Sequence, residues 1–341
     1  MTPRAIWESL DQVVTLELRS ADLNPGTLAP LYQAAREKAG GPLAHLAAQR
    51  LIEALRPGAA IVLTTGAGGP PWLFQGETDG PLGVAALARA LALGFGVWPL
   101  VLTEPRGEGP MMATLVAAGV SVLPETMART RPTTATLVPF TTDPDAAADE
   151  ARRFLDRHQP VAVIAVEKTS PNRAGVIHSV SGKAWTPAVD FVRVEHLIDE
   201  GRRRGVLTIG TGDMGNEMGF GLIEDTVRRT VARADVCQCP CGQGMASAVA
   251  TDILVPASVS NWGAYGMAAA LAILTGRRDL FHDTDTERAM LRACVAAGGV
   301  DGLTSRQILA VDGTSDEVQT AVVTLLKALI DKALDARPVD Y

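Results

Sequence analysis

Aromatic side chains are scarce, at 4% of the 341 residues, and this removes the stacking platforms with which single-stranded nucleic acid is bound. Basic charge is also short. The 31 Lys and Arg are outnumbered by 38 Asp and Glu, leaving a net charge of −7, which argues against nucleic acid or an anionic membrane as the main partner. No apolar run reaches transmembrane length without interruption, and no basic stretch followed by an apolar one opens the chain. Glu8 and Asp11 come too early for an acid-poor transit peptide, so the chain reads as cytoplasmic. Four cysteines in a chain this long do not make a disulfide framework. Internal repeats and low-complexity tracts are lacking.

What is present is a generous apolar share, 47%, with 20% charged residues, the balance of a globular protein with a sizeable core. Residues 1–58 read as an N-terminal helical segment packed on that core. Within it, Asn24-Pro25 suits the cap and first turn of a helix running to about Ala39, and Leu43 to Leu55 suits a second helix. Residues 59–341 read as a single α/β domain. Short apolar runs at Ala59–Thr64, Val97–Leu102, Val120–Leu123, Val161–Val166, Val206–Ile209 and Thr251–Val255 alternate with helical segments. That alternation predicts a mostly parallel, doubly wound sheet with helices on both faces. The Pro- and Thr-rich passage Arg129 to Thr142 reads as a surface excursion with a short strand, and a helix is expected over Ala264–Leu274.

Chemistry gathers where these strands end. After Val206–Ile209 comes Gly210-Thr-Gly-Asp-Met-Gly-Asn-Glu-Met-Gly-Phe-Gly221, a loop whose backbone can approach a ligand closely. Its Asp213, Asn216 and Glu217 suit a cation, or the amine and carboxyl groups of a small substrate; so many glycines after a buried strand are a poor way to build an ordinary turn. Thr65-Gly-Ala-Gly-Gly-Pro-Pro71 follows the first strand and could form an anion-holding nest. Two prolines and Trp72 stand where a dinucleotide fingerprint would start its helix, and no P-loop lysine follows, so no nucleotide cofactor is expected. Glu77 and Asp79 precede a strongly helical segment. They complement its dipole or serve a site on the strand's C-terminal side. Glu167-Lys168 ends another buried strand as an acid–base pair, and the loop Thr169 to Gly175 contains Asn172. Ser260 and Asn261 are placed to cap a helix or to offer its free N–H groups to an anion.

His178 is a candidate acid–base group, but its Ser and Gly neighbours specify a loop and nothing more. Cys237, Cys239 and Cys241 alternate by two, which in a strand would point them to one face. They lack the two-residue gap and second ligand pair usual for zinc, and Cys294 is remote, so they read as small buried residues rather than ligands.

From about Leu51 to Leu274 the chain resembles the D-glutamate cyclase family, specifically its C-terminal cyclase domain. The likeness rests on Gly212-Asp-x-Gly-Asn-Glu-x-Gly-x-Gly221 and Val259-Ser-Asn-Trp-Gly263. It implies conversion of D-glutamate to 5-oxo-D-proline by loss of water between the amine and the side-chain carboxyl. Two positions depart from the family pattern: Lys168 stands where an arginine is usual and Met214 where a glycine is usual. Lysine does not reproduce a bidentate carboxylate clamp, so a related amino acid, lactam or cyclic amide is the alternative substrate.

On this resemblance Glu217 or Asp213 binds or deprotonates the amine, with Glu167 and Lys168 completing the catalytic group. Lys168, or a divalent cation (Mg or Mn) held by Asp213 and Glu217, polarises the carboxyl group. Thr65, Gly66, Glu77, Asp79, Asn172, Asn216, Ser260 and Asn261 are the expected substrate-binding residues. No feature calls for pyridoxal. An amino-acid epimerase or lyase needs similar groups, and a non-catalytic small-molecule sensor would keep the loops without needing the acids and bases. Homo-oligomerisation is left open.

Overall fold

The computed structural model describes residues 4–18 and 25–335. Seven strands form one sheet among the described residues: β1 Ala60–Gly66, β2 Trp98–Leu102, β3 Ser121–Val122, β4 Thr134–Leu137, β5 Ala162–Lys168, β6 Leu207–Gly212 and β7 Ile253–Pro256. Their spatial order is β3-β4-β2-β1-β5-β6-β7, and every neighbouring pair is parallel. β5, β6 and β7 are buried at every residue, and β1 at every residue but Gly66. These strands therefore read as continuous apolar runs rather than alternating ones. A separate antiparallel pair, β8 Ala310–Val311 and β9 Thr314–Ser315, turns at Asp312-Gly313.

The helices are α1 Arg4–Val14, α2 Leu28–Ala39, α3 Leu43–Ala54, α4 Pro81–Phe95, α5 Glu108–Ala117, α6 Glu125–Ala128, α7 Pro144–His158, α8 Glu195–Arg203, α9 Glu224–Thr230, α10 Ser260–Thr275, α11 Thr284–Ala296 and α12 Asp316–Asp335. The strand pleat sends alternate side chains to opposite faces, and β1 shows it. Ile61 and Leu63 join the larger core with α1, α3, α4, α10 and α12, whereas Ala60 and Val62 join a second core with α7 and α8. The doubly wound α/β architecture expected from the alternation is the one found. Helix α10 is buried from Ser260 to Ile273, as an all-apolar helix must be. Its close approach to α4 uses Gly83, where a Cβ would stand 3.0 Å from that of Ala264.

Three expectations change. The short strand expected within 129–142 is β4, but it is not on a surface excursion: it lies inside the sheet between β3 and β2, with Thr134, Ala135 and Thr136 buried, and the hydroxyl of Thr136 accepts from Trp98 Nε1 at 3.0 Å. Threonine's β-branching suits a half-buried strand, and that won over the turn signals around it. Helix α10 starts at Ser260, four residues before the expected Ala264. Helix α2 starts at Leu28, and the cap expected at Asn24 lies outside the described residues.

The N-terminal helices are tied together by a buried charge. Both oxygens of Asp11 accept backbone N–H groups at the start of α3, from Leu43 at 2.6 Å and Ala44 at 3.0 Å, and one also accepts Tyr32 Oη at 2.7 Å. This carboxylate on α1 supplies the cap that Pro42 cannot. Asp11→Ala strands these donors and is expected to lower unfolding stability by roughly 1–3 kcal/mol. Asp11→Asn, which keeps an acceptor, should recover part of the loss in chemical denaturation; an unchanged midpoint in Asp11→Ala would remove this tie.

Candidate functional site

Chain order reverses between β1 and β5: β2, β4 and β3 follow on one side, β6 and β7 on the other. The crevice beyond the carboxyl ends of the strands at such a point is where open α/β sheets bind ligands. Glu167 and the Thr65-Gly66 turn stand there. The β1–β5 register shifts between Thr64 and Gly66, and Glu167 takes φ 43°, an uncommon conformation for a residue with a side chain. Its Oε2 accepts from Ser260 Oγ at 2.5 Å. Opposite Gly66, the carboxylate of Glu104 at the end of β2 fills the space a Cβ would need.

The Gly210–Gly221 loop closes around its own glutamate. Glu217 Oε1 accepts from the backbone N–H of Met214 at 2.9 Å and of Asp213 at 3.3 Å, and Oε2 from that of Gly215 at 2.7 Å. A Cβ on Gly212 would lie 3.0 Å from the Glu217 carboxyl carbon, which is one reason the loop needs glycine there. Asp79 acts similarly at α10. Its oxygens accept from Ser260 N and Asn261 N, both at 2.8 Å. Asn261 Oδ1 in turn accepts from Gly80 N at 2.9 Å and Gly83 N at 2.7 Å at the start of α4.

The result is a dense carboxylate cluster. Oxygen atoms of Glu167, Asp213 and Glu217 lie within 4.8 Å of one another, as do those of Asp79, Asp213 and Asp312, so Asp213 belongs to both groups. Burial, and then the Asp213 charge with which it shares a hydrogen bond, pushes Glu217 up to about 8 against the pull of its amide donors. Burial and Asp213 push Asp79 up to about 7, against the N–H groups of Asn261, Ser260 and Gly80. Glu77 and Glu167 are raised well above the usual carboxylate range by burial, and then by their acidic neighbours.

A pocket of ≈ 280 Å³ opens against this cluster, near the low end of the roughly 300–1,000 Å³ typical of drug-sized ligands. Glu77, Glu167, Asp213, Asn216 and Asp312 form its polar floor, and Trp72, Leu73, Val180, Trp185 and Leu303 its apolar sides. Among the described residues lining it there is no lysine or arginine. Asn216 donates through Nδ2 to His178 O at 3.0 Å, while its buried Oδ1 has no hydrogen-bond partner.

Of the residues expected from sequence, Glu77, Glu167, Asp213 and Asn216 reach this pocket. Thr65, Gly66 and Asp79 line an adjoining void of ≈ 20 Å³, with Glu77 and Glu104. Ser260 and Asn261 do not present free N–H groups to an anion, because Asp79 occupies them. Asn172 organises its own loop: Oδ1 accepts from Ala174 N and Val176 N, and Nδ2 donates to Gly244 O at 2.7 Å. Lys168 is fully buried and ion-paired with Glu104 beneath the Phe191 ring; it is not among the pocket-lining residues. Sequence reading missed Glu104 and Asp312. A lone glutamate after an apolar run carries no local signal, but Asp312-Gly313 between two short apolar runs is a hairpin turn signal.

The model of the D-glutamate cyclase-like C-terminal family matches residues 23–327. The chain belongs to this family. A segment of 91 residues is 36% identical to the mitochondrial D-glutamate cyclase of Homo sapiens, covering 24% of this chain and 14% of the human protein. The match thus spans about one seventh of that relative's length. Among the described residues no helix is long and apolar enough to cross a membrane.

Two outcomes follow from the charges. Lys168→Met leaves Glu104 buried without its cation and should destabilise the protein by roughly 3–5 kcal/mol, whereas adding Glu104→Leu should restore most of the loss. A double variant as unstable as the single one would mean the pair is not the cause. Carboxylates whose pKa rises on folding stabilise the folded state fully below their unfolded values and lose that contribution as pH rises through the folded ones. With Asp79 at about 7 and Glu217 at about 8, metal-depleted protein should melt at progressively lower temperature from about pH 5 to about pH 8. A melting temperature that rises over this window would contradict the raised values.

Proposed function

We propose that the chain closes D-glutamate, or a closely related amino acid, to its five-membered lactam with release of water, and can run the reverse hydrolysis. The observation that carries this is the placement of Glu167 and Asp213 together on the pocket floor, with Glu167 favouring its protonated form. Lactam closure needs both an acid and a base at one carboxyl carbon. The substrate ammonium gives up two protons, its nitrogen bonds to the side-chain carboxyl carbon, and one C–O bond breaks as the oxygen leaves with both protons as water.

Asp213 takes a proton from the amine, and Glu167, oriented by Ser260, gives one to the departing oxygen. Asn216 Oδ1, a buried acceptor without a partner, receives a substrate N–H. Glu217 shapes the loop and shares a hydrogen bond with Asp213, which places it one step behind the reacting atoms. Lys168 is a positioning residue through Glu104. The apolar sides of the pocket fit the methylene face of a lactam ring, which supports the hydrolytic direction as the second reading.

An anionic substrate entering a pocket floored by carboxylates needs a counter-charge, and the lining supplies none. The oxygen-only donors of Asp213 with Glu167 and Glu217, or with Asp79 and Asp312, fit a hard divalent cation such as Mg or Mn. Bound there, such an ion would offset the like charges and polarise the substrate carboxyl. Glu217, whose oxygens already accept three amides, is a weaker donor than Asp213.

The test is NMR of purified protein with D-glutamate, L-glutamate, both 5-oxoprolines and a small panel of lactams, with and without Mg or Mn. Turnover of a D-amino acid or lactam is expected, and Asp213→Asn and Glu167→Gln should each lower the rate roughly 10²–10⁴-fold. No turnover under any condition, or an undiminished rate in Asp213→Asn, would refute the assignment.

A further inference from the structure

A second cluster, made of different atoms, stands beside the pocket. The chain from Cys237 to Gly244 is a looped knuckle and not the strand that the alternation of its cysteines suggests. Cys237, Cys239 and Cys241 point to one centre because the backbone curls around it. Gly242 takes φ 63° and Gly244 φ 72°, and a Cβ on Gly244 would lie 1.9 Å from Ala234 O, so only glycine allows the return. His178, 61 residues before Cys239, arrives from a hairpin closed by its bridge to Ala184. The hairpin turn and the knuckle are joined by Gln238 N donating to Gly182 O at 2.8 Å.

The four donor atoms describe a small tetrahedron. The sulfurs are separated by 3.5 Å (Cys237–Cys239), 3.4 Å (Cys237–Cys241) and 3.2 Å (Cys239–Cys241). His178 Nε2 lies 3.2 Å from Cys239 Sγ and 3.8 Å from Cys241 Sγ. All four atoms fall within 4.8 Å of one another, and none of the cysteines is in a disulfide. A tetrahedral zinc with bonds of about 2.3 Å to sulfur and 2.0 Å to nitrogen sets its ligands about 3.5–3.8 Å apart. The five separations above lie within about half an ångström of that size, and the cage is too small for a two-iron cluster. His178 is also oriented as a ligand should be: Nδ1 faces Val176 O at 3.0 Å, which fixes the tautomer and leaves Nε2 to the metal. Asn172 Nδ2 reaches Cys241 Sγ at 3.5 Å, a donor to a thiolate.

We propose that His178, Cys237, Cys239 and Cys241 bind one zinc ion in a closed, four-coordinate structural site. Binding releases the three thiol protons and leaves a complex of net charge −1, with no redox change. Three thiolates and one imidazole favour zinc over Mg or Mn, whereas the oxygen-only cluster on the pocket floor has the opposite preference. The ion staples the hairpin 178–184 to the knuckle. That hairpin contributes Ser179 and Val180 to the pocket wall, and its His178 carbonyl holds Asn216 in place. The site is therefore a positioning element for the pocket and not a catalytic metal, since its four ligands leave no open position.

The full chain, expressed in zinc-supplemented medium and dialysed against a weak chelator, is expected to retain about one zinc per molecule. An organomercurial should release that zinc as three thiols are titrated. Cobalt exchanged into the site should give the visible bands of tetrahedral cobalt together with thiolate-to-metal charge transfer; cobalt on the carboxylate cluster would lack the latter. Cys239→Ser and His178→Ala should weaken zinc binding at least about tenfold, while Asp213→Asn should leave both zinc content and the charge-transfer band unchanged. The wild-type readouts need no variant to fold. Zinc-free protein whose cysteines react freely, a disulfide among Cys237, Cys239 and Cys241, or stoichiometric iron or copper in place of zinc would each overturn the assignment.

Discussion

The arrangement of the pocket depends on two helix starts that satisfy each other. The first N–H groups of α10, at Ser260 and Asn261, are taken by the carboxylate of Asp79, which lies just before α4. Those of α4, at Gly80 and Gly83, are taken by the side chain of Asn261 on α10. Free N–H groups at a helix start must find acceptors, and a buried start without them is costly. Here the partners are exchanged between two buried helices, so neither can shift without stranding the other. Both positive dipole ends then lie at the crevice beside β1 and β5, where they favour negative charge. That polarity explains how a fold can tolerate so many buried carboxylates in one place.

The tolerance is incomplete, and the incompleteness is informative. Glu104 has the Lys168 ammonium as its counter-ion, and Asp79 and Glu217 have backbone amides. Glu77 is raised well above the usual range by burial and then by Asp79 and Asp213, and Glu167 by burial and then by Glu217 and Asp213. With Asp79 at about 7 and Glu217 at about 8, the cluster holds acids suited to moving protons near neutral pH. The same repulsion is what a divalent cation relieves, so proton transfer and cation affinity have a common physical origin here.

How much of this was legible beforehand follows from the range of each interaction. The sheet was legible because a buried parallel strand is an apolar run in one stretch of chain. The Gly210–Gly221 loop was legible because glycines and acids are adjacent in it, and Glu167 because it ends such a run. Ser260, Asn261 and Asn172 carry hydrogen bonds within the fold that their sequence neighbourhood does not announce. Each is a plausible ligand-binding residue in isolation, but the fold engages each: Ser260 with the carboxylates of Asp79 and Glu167, Asn261 with the backbone at Thr78, Gly80 and Gly83, and Asn172 with its own loop and Gly244 O. Lys168 looked like an electrophile beside Glu167, yet neighbours along a strand point to opposite faces, and Lys168 turns to Glu104, 64 residues away. Glu104 and Asp312 left little local trace. The short strand β4 was expected, but the prolines and threonines around it hid its place inside the sheet.

The cysteines show the same limit and connect the two halves of the site. Spacing alone argued against metal, because three alternating cysteines lack a fourth ligand until the hairpin brings His178 to them. Once folded, Asn216 is tied to the hairpin of His178 and also lines the pocket with the carboxylates. Asn216 links them: its amide nitrogen is held by the His178 carbonyl, its backbone carbonyl accepts from Ser170 N at 3.0 Å, and its buried Oδ1 has no hydrogen-bond partner. Soft donors in a closed cage hold the wall rigid, and hard donors at an open floor remain free to meet a substrate. Ligand chemistry separates the two sets: sulfur and imidazole favour zinc, and carboxylate oxygens favour a hard cation.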